Sequence, residues 1–146
     1  MKVAYKRGYD WIWMMDDDAI PENDTLEKLL LAVGDSSDVI ARPALTNNPN
    51  QFTPWFAGGI FSRSVISRIG LPWRELFIHW DDVEYAMRAE KNGIKIVNVK
   101  DTKIYHKDWT LRGRLSKRVL GKTLSIPLHP KGRNIIIFNE INFMYL

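Results

Sequence analysis

An α/β layer architecture, a sheet with helices packed on it, is the fold class this sequence predicts. Three observations carry the prediction. Trp11–Met15 is an apolar run without alternation, the pattern of a strand covered on both faces in a parallel sheet. Helical segments at 24–33 and 81–92 alternate with short apolar runs at 39–42, 94–99 and 103–106. Glycines at 8, 70 and 93 stand where the helical patterns stop.

Each element has a local reason. Residues 1–8 read as the end of a helix closed by Gly8. The strand at 11–15 stops abruptly at Asp16, Asp17 and Asp18, and Pro21 marks a loop. Asp24 begins a helix, with Glu27 three residues on as a capping box and Leu26, Leu29, Leu30 and Val33 as its apolar stripe. Gly34 to Asp38 is a turn, and 39–42 a short strand. Residues 43–54, with three prolines and several asparagines, read as a loop. Phe56 to Phe61 reads as a strand interrupted by Gly58 and Gly59, a pair that signals close approach of a ligand or of another backbone. Residues 62–69 form a short helix ended by Gly70. Residues 81–92 form a clearer one, with acids in its first turn and Val83, Ala86 and Met87 on one face. Two strands follow, at 94–99 and 103–106. After Trp109 the chain is basic and irregular, and from Asn134 it is apolar again.

Composition narrows the function classes. The 146 residues suit one domain, with 45% hydrophobic and 26% charged residues. Seventeen aromatic residues exclude a disordered chain. No apolar run approaches the roughly 20 residues of a membrane-spanning helix. Residues 1–10 have no apolar signal-peptide core. The absence of cysteine excludes disulfides and thiolate metal sites, and the cytoplasm is the expected compartment. The net charge of +4 is unevenly spread. Residues 101–133 hold nine Lys or Arg against two Asp, a net +7. That stretch is either a solvated tail or a contact for an anion. It lacks the aromatic–basic interleaving of a single-strand binder, and a nucleic-acid partner is not expected. Walker and dinucleotide-type glycine loops and a Gly-x-Ser-x-Gly elbow are absent.

Three clusters have chemical potential. Consecutive aspartates after a buried strand repel one another, so they belong to an exposed acidic loop or to a hard divalent cation. For the cation, Asp16 and Asp18 are expected to share one side of an extended strand end. In Trp80-Asp81-Asp82-Val83-Glu84, Asp81 as N-cap and Glu84 paired to Arg88 make ordinary helix chemistry. A carboxylate at a helix start beside aromatic residues also suits a general base. His106, near a strand end, is a structural histidine or a metal ligand. Trp55, Trp73, Trp80 and Trp109 fall in or beside loops, where aromatic faces commonly stack on sugar rings.

Taken in order, these residues resemble the family 2 glycosyltransferases. Trp11-Ile-Trp-Met-Met-Asp-Asp-Asp-Ala-Ile-Pro21 is similar to that family's strand, DXD motif and proline. Phe56 through Gly58 and Gly59 to Arg63 is similar to the stretch before the acceptor region. Phe77-Ile-His-Trp-Asp-Asp-Val-Glu-Tyr-Ala-Met-Arg88 resembles the galactofuranosyl- and rhamnosyltransferase branch. Tyr105-His106-Lys-Asp-Trp109 resembles its metal-site histidine, and Gly132-Arg133-Asn134 echoes an Arg-Asn pair found further on. The resemblance implies a partial GT-A fold, a Rossmann-like mixed sheet flanked by helices. It implies metal-dependent inverting transfer of a sugar from a UDP- or dTDP-sugar to a glycan or lipid-linked glycan acceptor. Asp16, Asp18 and His106 would hold Mn²⁺ or Mg²⁺, with Asp17 beside the donor diphosphate. Asp82 would be the base. Asp81, Glu84, Trp55, Trp80, Gly58 and Gly59 would face the acceptor.

One departure from the family matters. Its DXD motif follows several nucleotide-binding strands, whereas here it begins at residue 16. The expectation is therefore a chain lacking those N-terminal strands. Residues 1–110 would be the catalytic and acceptor half, and 111–146 a basic extension with an apolar end. Transfer by these residues alone would be impaired. A sheet without the missing strands would bare an edge, which oligomerisation is one way to cover. The basic stretch leaves room for contact at the inner face of a membrane. The alternative is a non-catalytic sugar-binding or assembly module derived from the same fold.

Overall fold

The layering follows from β1 (Trp11–Met15), all five of whose residues are buried. Ile12 and Met14 enter one hydrophobic cluster, while Trp11, Trp13 and Met15 enter a second. Successive side chains of a strand point to opposite faces, so β1 lies between two apolar layers. The computed structural model describes residues 1–45, 48–76, 80–106, 125–126 and 135–139. They form α1 (Lys2–Lys6), β1, β2 (Ala19–Pro21), α2 (Thr25–Val33), β3 (Val39–Leu45), β4 (Asn48–Phe52) and β5 (Ile60–Ser62). There follow α3 (Arg63–Ile69), a 3₁₀ turn (Arg74–Leu76), α4 (Asp81–Lys91), β6 (Lys95–His106), β7 (Ser125–Ile126) and β8 (Ile135–Asn139).

The sheet runs β2-β6-β3-β5-β1-β8-β7, with β4 on β3. It is mixed: β1 is antiparallel to β5 and parallel to β8, and β3 is parallel to β6 and antiparallel to β4 and β5. Ala4 of α1, Val65, Ile66 and Ile69 of α3, and Tyr85 and Ala89 of α4 cover one face. Leu29, Leu30 and Val33 of α2 cover the other, against Val39, Ala41, Val99 and Ile104. The fold is thus mixed α/β with helices flanking a mixed sheet. No described helix is long and apolar enough to cross a membrane.

Several expectations hold at the level of elements. The helix ending near Gly8, the buried strand 11–15, the stripe of α2 and the helix 63–69 with Ser62 at its N-cap are all present. Others are corrected. The sheet is mixed, as the family resemblance implied, and not parallel around β1 as its unalternating run suggested. Asp24 caps α2 only by position, because its carboxylate pairs with Lys28 at 2.9 Å and no capping box forms. The proline-rich stretch is not all loop: β3 continues to Leu45 and β4 pairs with it, Ala44 opposite Phe52. There a neighbouring strand supplies hydrogen bonds that composition does not forecast. Phe56 lies in a turn, and the strand begins only at Ile60. The strands expected at 94–99 and 103–106 are one strand with a bulge, since Pro43 pairs with Val99 and the next residue, Ala44, pairs with Lys103. The buried Thr102 closes that bulge, its hydroxyl donating to the Val99 carbonyl at 2.6 Å and accepting from the Ala44 amide at 3.3 Å. Met87 is exposed, and α4 buries the expected Ala86 together with Tyr85 and Ala89. β1 is an inner strand, its side away from β5 being paired by β8 from Trp11 opposite Ile135 to Met15 opposite Asn139. Trp109 and the stretch 107–124 lie outside the described residues.

Candidate functional site

The site is built where β1 ends. The chain leaves the sheet at Asp16, and the Ala19 amide donates to the Asp16 carbonyl at 3.3 Å, closing a tight turn over Asp17 and Asp18. The aspartates therefore sit on a turn and not on an extended strand end, so the alternation expected to align Asp16 with Asp18 does not operate. Asp16 and Asp18 are half-buried and Asp17 is exposed. β2 follows at once and pairs with the end of β6, Ala19 opposite His106 and Ile20 opposite Tyr105. The His106 backbone thus lies in register with the residue that follows Asp18, although its side chain lies outside the described residues.

The second wall is the start of α4. Its N-cap is Trp80, not Asp81, and Trp80 adopts φ 67°, ψ 1°. A left-handed conformation is costly for a bulky side chain, on the order of 1–3 kcal/mol, and is found mainly where surrounding structure enforces it. Trp80 is 72% exposed. Asp81, the first helical residue, has its carboxyl held above the ordinary value by burial, then by the negative charges of Asp82 and Asp16. Asp81 is thus within electrostatic reach of the aspartate turn. Asp82 accepts two backbone hydrogen bonds, from Val83 at 2.8 Å and from Trp55 at 3.3 Å. Both oxygens of Glu84 accept from Arg88, at 2.8 Å each, and Arg88 also donates to the carbonyls of Ile69 and Leu71.

The turn at 53–59 is the third wall. Gly58 and Gly59 are buried, and the close approach there is by the chain itself. A Cβ on Gly59 would stand 2.2 Å from the Trp55 carbonyl oxygen; one on Gly58, at φ 152°, would stand 2.6 Å from Ile104 Cδ1. The glycines let the turn fold back tightly enough for the Gly59 amide to reach the Trp55 carbonyl at 3.1 Å. The Trp13 indole donates to the Gly58 carbonyl at 2.8 Å and fastens the turn to β1. Trp55 is half-buried, with the Arg42 guanidinium 4.0 Å from its ring centroid. Phe56, Phe61 and Tyr85 pack together with centroids 5.7–5.9 Å apart, Phe61 edge to face with Tyr85 and Phe56 tilted against both, and hold α4 against this turn.

The structure thus gathers Asp16, Asp81, Asp82 and Trp55 at one end of the sheet, with Asp18 on the adjoining turn and the His106 backbone beside it. Among the described residues no three His, Asp or Glu side chains stand together as a metal-binding group. Sequence reasoning missed Arg42, whose part in the site depends on β3 and on turn 53–59 coming together. The chain matches no protein-family model, and no curated protein matches it in sequence. An open groove of about 480 Å³ lies at the other end of β1, lined by Asp10, Ser36, Ser62, Arg63 and Ser64 among others. Two of its polar groups bond to the protein: Arg63 donates to the Tyr5 carbonyl and stacks on the Tyr5 ring, and the Ser64 hydroxyl donates to Asp38.

Proposed function

We propose that the chain carries the catalytic and acceptor half of a GT-A-type inverting glycosyltransferase that uses a nucleotide-diphosphate sugar. The observation that supports this reading is the aspartate turn, Asp16 to Asp18, at the carboxyl end of β1, next to the β2–β6 pairing that sets Ala19 opposite His106. In open α/β sheets ligands bind at the carboxyl ends of strands. Repulsion among carboxylates fits a site that receives a hard, oxygen-preferring cation.

Asp16, Asp18 and His106 are the residues that would hold Mn²⁺ or Mg²⁺, and the cation would offset the charge of the departing nucleotide diphosphate. Asp82 accepts the proton of the acceptor hydroxyl as that oxygen attacks the anomeric carbon, and the sugar is delivered with inversion. Its two backbone donors fix the carboxylate's direction before the acceptor arrives. Trp55 and the outward-facing Trp80 offer apolar faces to the acceptor ring. Gly58 and Gly59 serve the acceptor side by holding Trp55 in its turn. Asp81 faces the same space, Asp17 lies on the side of the diphosphate, and Glu84 contributes through its pairing with Arg88.

The test is calorimetric titration of the folded chain with Mn²⁺, with and without UDP, beside an Asp16→Ala/Asp18→Ala double variant. The expected result is saturable binding that UDP tightens and the double variant abolishes. Absence of binding, with circular dichroism showing a folded chain, overturns the metal-dependent reading. In a transfer assay Asp82→Asn is expected to lose about 10²–10⁴-fold, the usual contribution of general-base catalysis.

A non-catalytic sugar-binding module is the second reading, favoured by one observation: the strained Trp80, with Trp73 also 55% exposed, offers stacking surface that needs no cation. Retention on immobilised glycans that persists in EDTA, without transfer, would select it.

A further inference from the structure

Arg42 has an unusual set of partners for a residue in the middle of a sheet. It lies in β3 opposite Asn98 of β6, and its Nε donates to Asn98 Oδ1 at 2.7 Å. Its Nη1 donates to the Thr53 carbonyl at 3.3 Å, at the entrance of turn 53–59. Its planar face lies 4.0 Å from the Trp55 ring centroid and 5.5 Å from that of Phe52. Trp55 in turn donates its amide to Asp82. One guanidinium therefore ties β6, the start of the turn and the Trp55 ring, and Trp55 passes the connection to the α4 start.

We propose that Arg42 is a positioning residue: clamped by Asn98 and the Thr53 carbonyl, it holds Trp55 so that the Trp55 amide orients the Asp82 carboxylate. This deepens the functional reading above and rests on it for the role of Asp82. Burial draws the guanidinium below its ordinary value, and the negative charges of Asp82 and Glu90 oppose that, so the cation also contributes field across the turn. Lysine is a poor substitute, because the fork supplies two directed donors and a stacking plane at once.

The test reads the Trp55 backbone amide in ¹H–¹⁵N spectra of the full chain, with Asp82→Asn as the reference for a weakened Trp55–Asp82 hydrogen bond. Arg42→Met keeps the unbranched apolar stem of the side chain and removes fork and charge. Its Trp55 amide is expected to move in the same direction as in Asp82→Asn. The Arg42→Met/Asp82→Asn double variant is expected to move it little further, and Arg42→Lys to restore only part of the displacement. A folded Arg42→Met chain whose Trp55 amide stays at the wild-type position overturns the proposal, even if its melting temperature falls. Should Arg42→Met fail to fold, Asn98→Ala removes the 2.7 Å anchor at the exposed edge of the network, and the same two outcomes apply. The measurement needs neither donor nor metal, so failure of the transferase reading in the Mn²⁺ titration is distinguishable from failure of this one.

Discussion

At the scale of single residues, Asp81 carries the clearest electrostatic consequence. Burial and the charges of Asp82 and Asp16 hold its carboxyl above the ordinary value, so the folded chain binds that proton more tightly than the unfolded chain does. Its contribution to stability is therefore most favourable in acid and declines as pH rises from the ordinary carboxylate range through the raised value. Asp81→Asn is expected to melt higher than wild type at neutral pH in EDTA, with the gain vanishing in acid; thermal melts across pH check this. Asp38 has the opposite sign. The Ser64 hydroxyl, then Arg68, hold its carboxyl low against burial, so its contribution is present at neutral pH and is lost as pH falls. The acidic cluster was legible because three aspartates interrupting an apolar run have few uses. The glycine pair was legible as a close approach, though the approaching atoms were visible only in three dimensions. Arg42 was not legible: nothing in the sequence near it differs from an arginine beside a strand, and its partners come from Asn98, Thr53 and Trp55.

At the scale of elements, β6 shows where sequence reading loses hold. Lys100, Asp101 and Thr102 look like a break between two strands, and that reading follows from polarity alone. The strand survives because the Thr102 hydroxyl closes the gap, donating to Val99 and accepting from Ala44. Thr102→Val preserves shape and removes both hydrogen bonds, leaving a buried amide without its acceptor. A loss of about 1–3 kcal/mol is expected, read from urea unfolding. Because β6 ends at His106 and pairs there with β2, the variant is also expected to weaken any Mn²⁺ binding at the aspartate turn. α4 was placed almost to the residue by its flanking acids and Gly93. On its buried face Ala86 was read correctly, while Tyr85 and Ala89 were missed because the partners of Tyr85, Phe56 in turn 53–59 and Phe61 in β5, meet it only in three dimensions. β4 was read as loop because composition records turn-forming residues and not the strand waiting beside them.

At the scale of the whole molecule, two apolar layers and a mixed sheet were legible in outline, since α2 and the α3–α4 pair announce their stripes. The closing of the sheet beside β1 was not, because it joins residues near opposite ends of the sequence. A chain ending at residue 124 lacks β7 and β8 and leaves one edge of β1 unpaired. It is expected to self-associate or to lose cooperative unfolding, as judged by size-exclusion chromatography and thermal melts. The full chain, with that edge hydrogen-bonded, is expected to do neither at matched concentration.

The pairing of β1 with β8 also bears on how the molecule comes to be made. Synthesis runs from the N- towards the C-terminus, so β1 emerges well before its parallel neighbour β8, Trp11 being paired with Ile135. During translation β1 can bond β5 along one side, and its other side stays open until Ile135–Asn139 clears the ribosome. Contacts so distant along the chain form slowly, and an apolar strand with an open edge is the species that aggregates or engages chaperones. The middle of the sheet is begun long before it is finished, which makes the interval between the making of β1 and of β8 the vulnerable one.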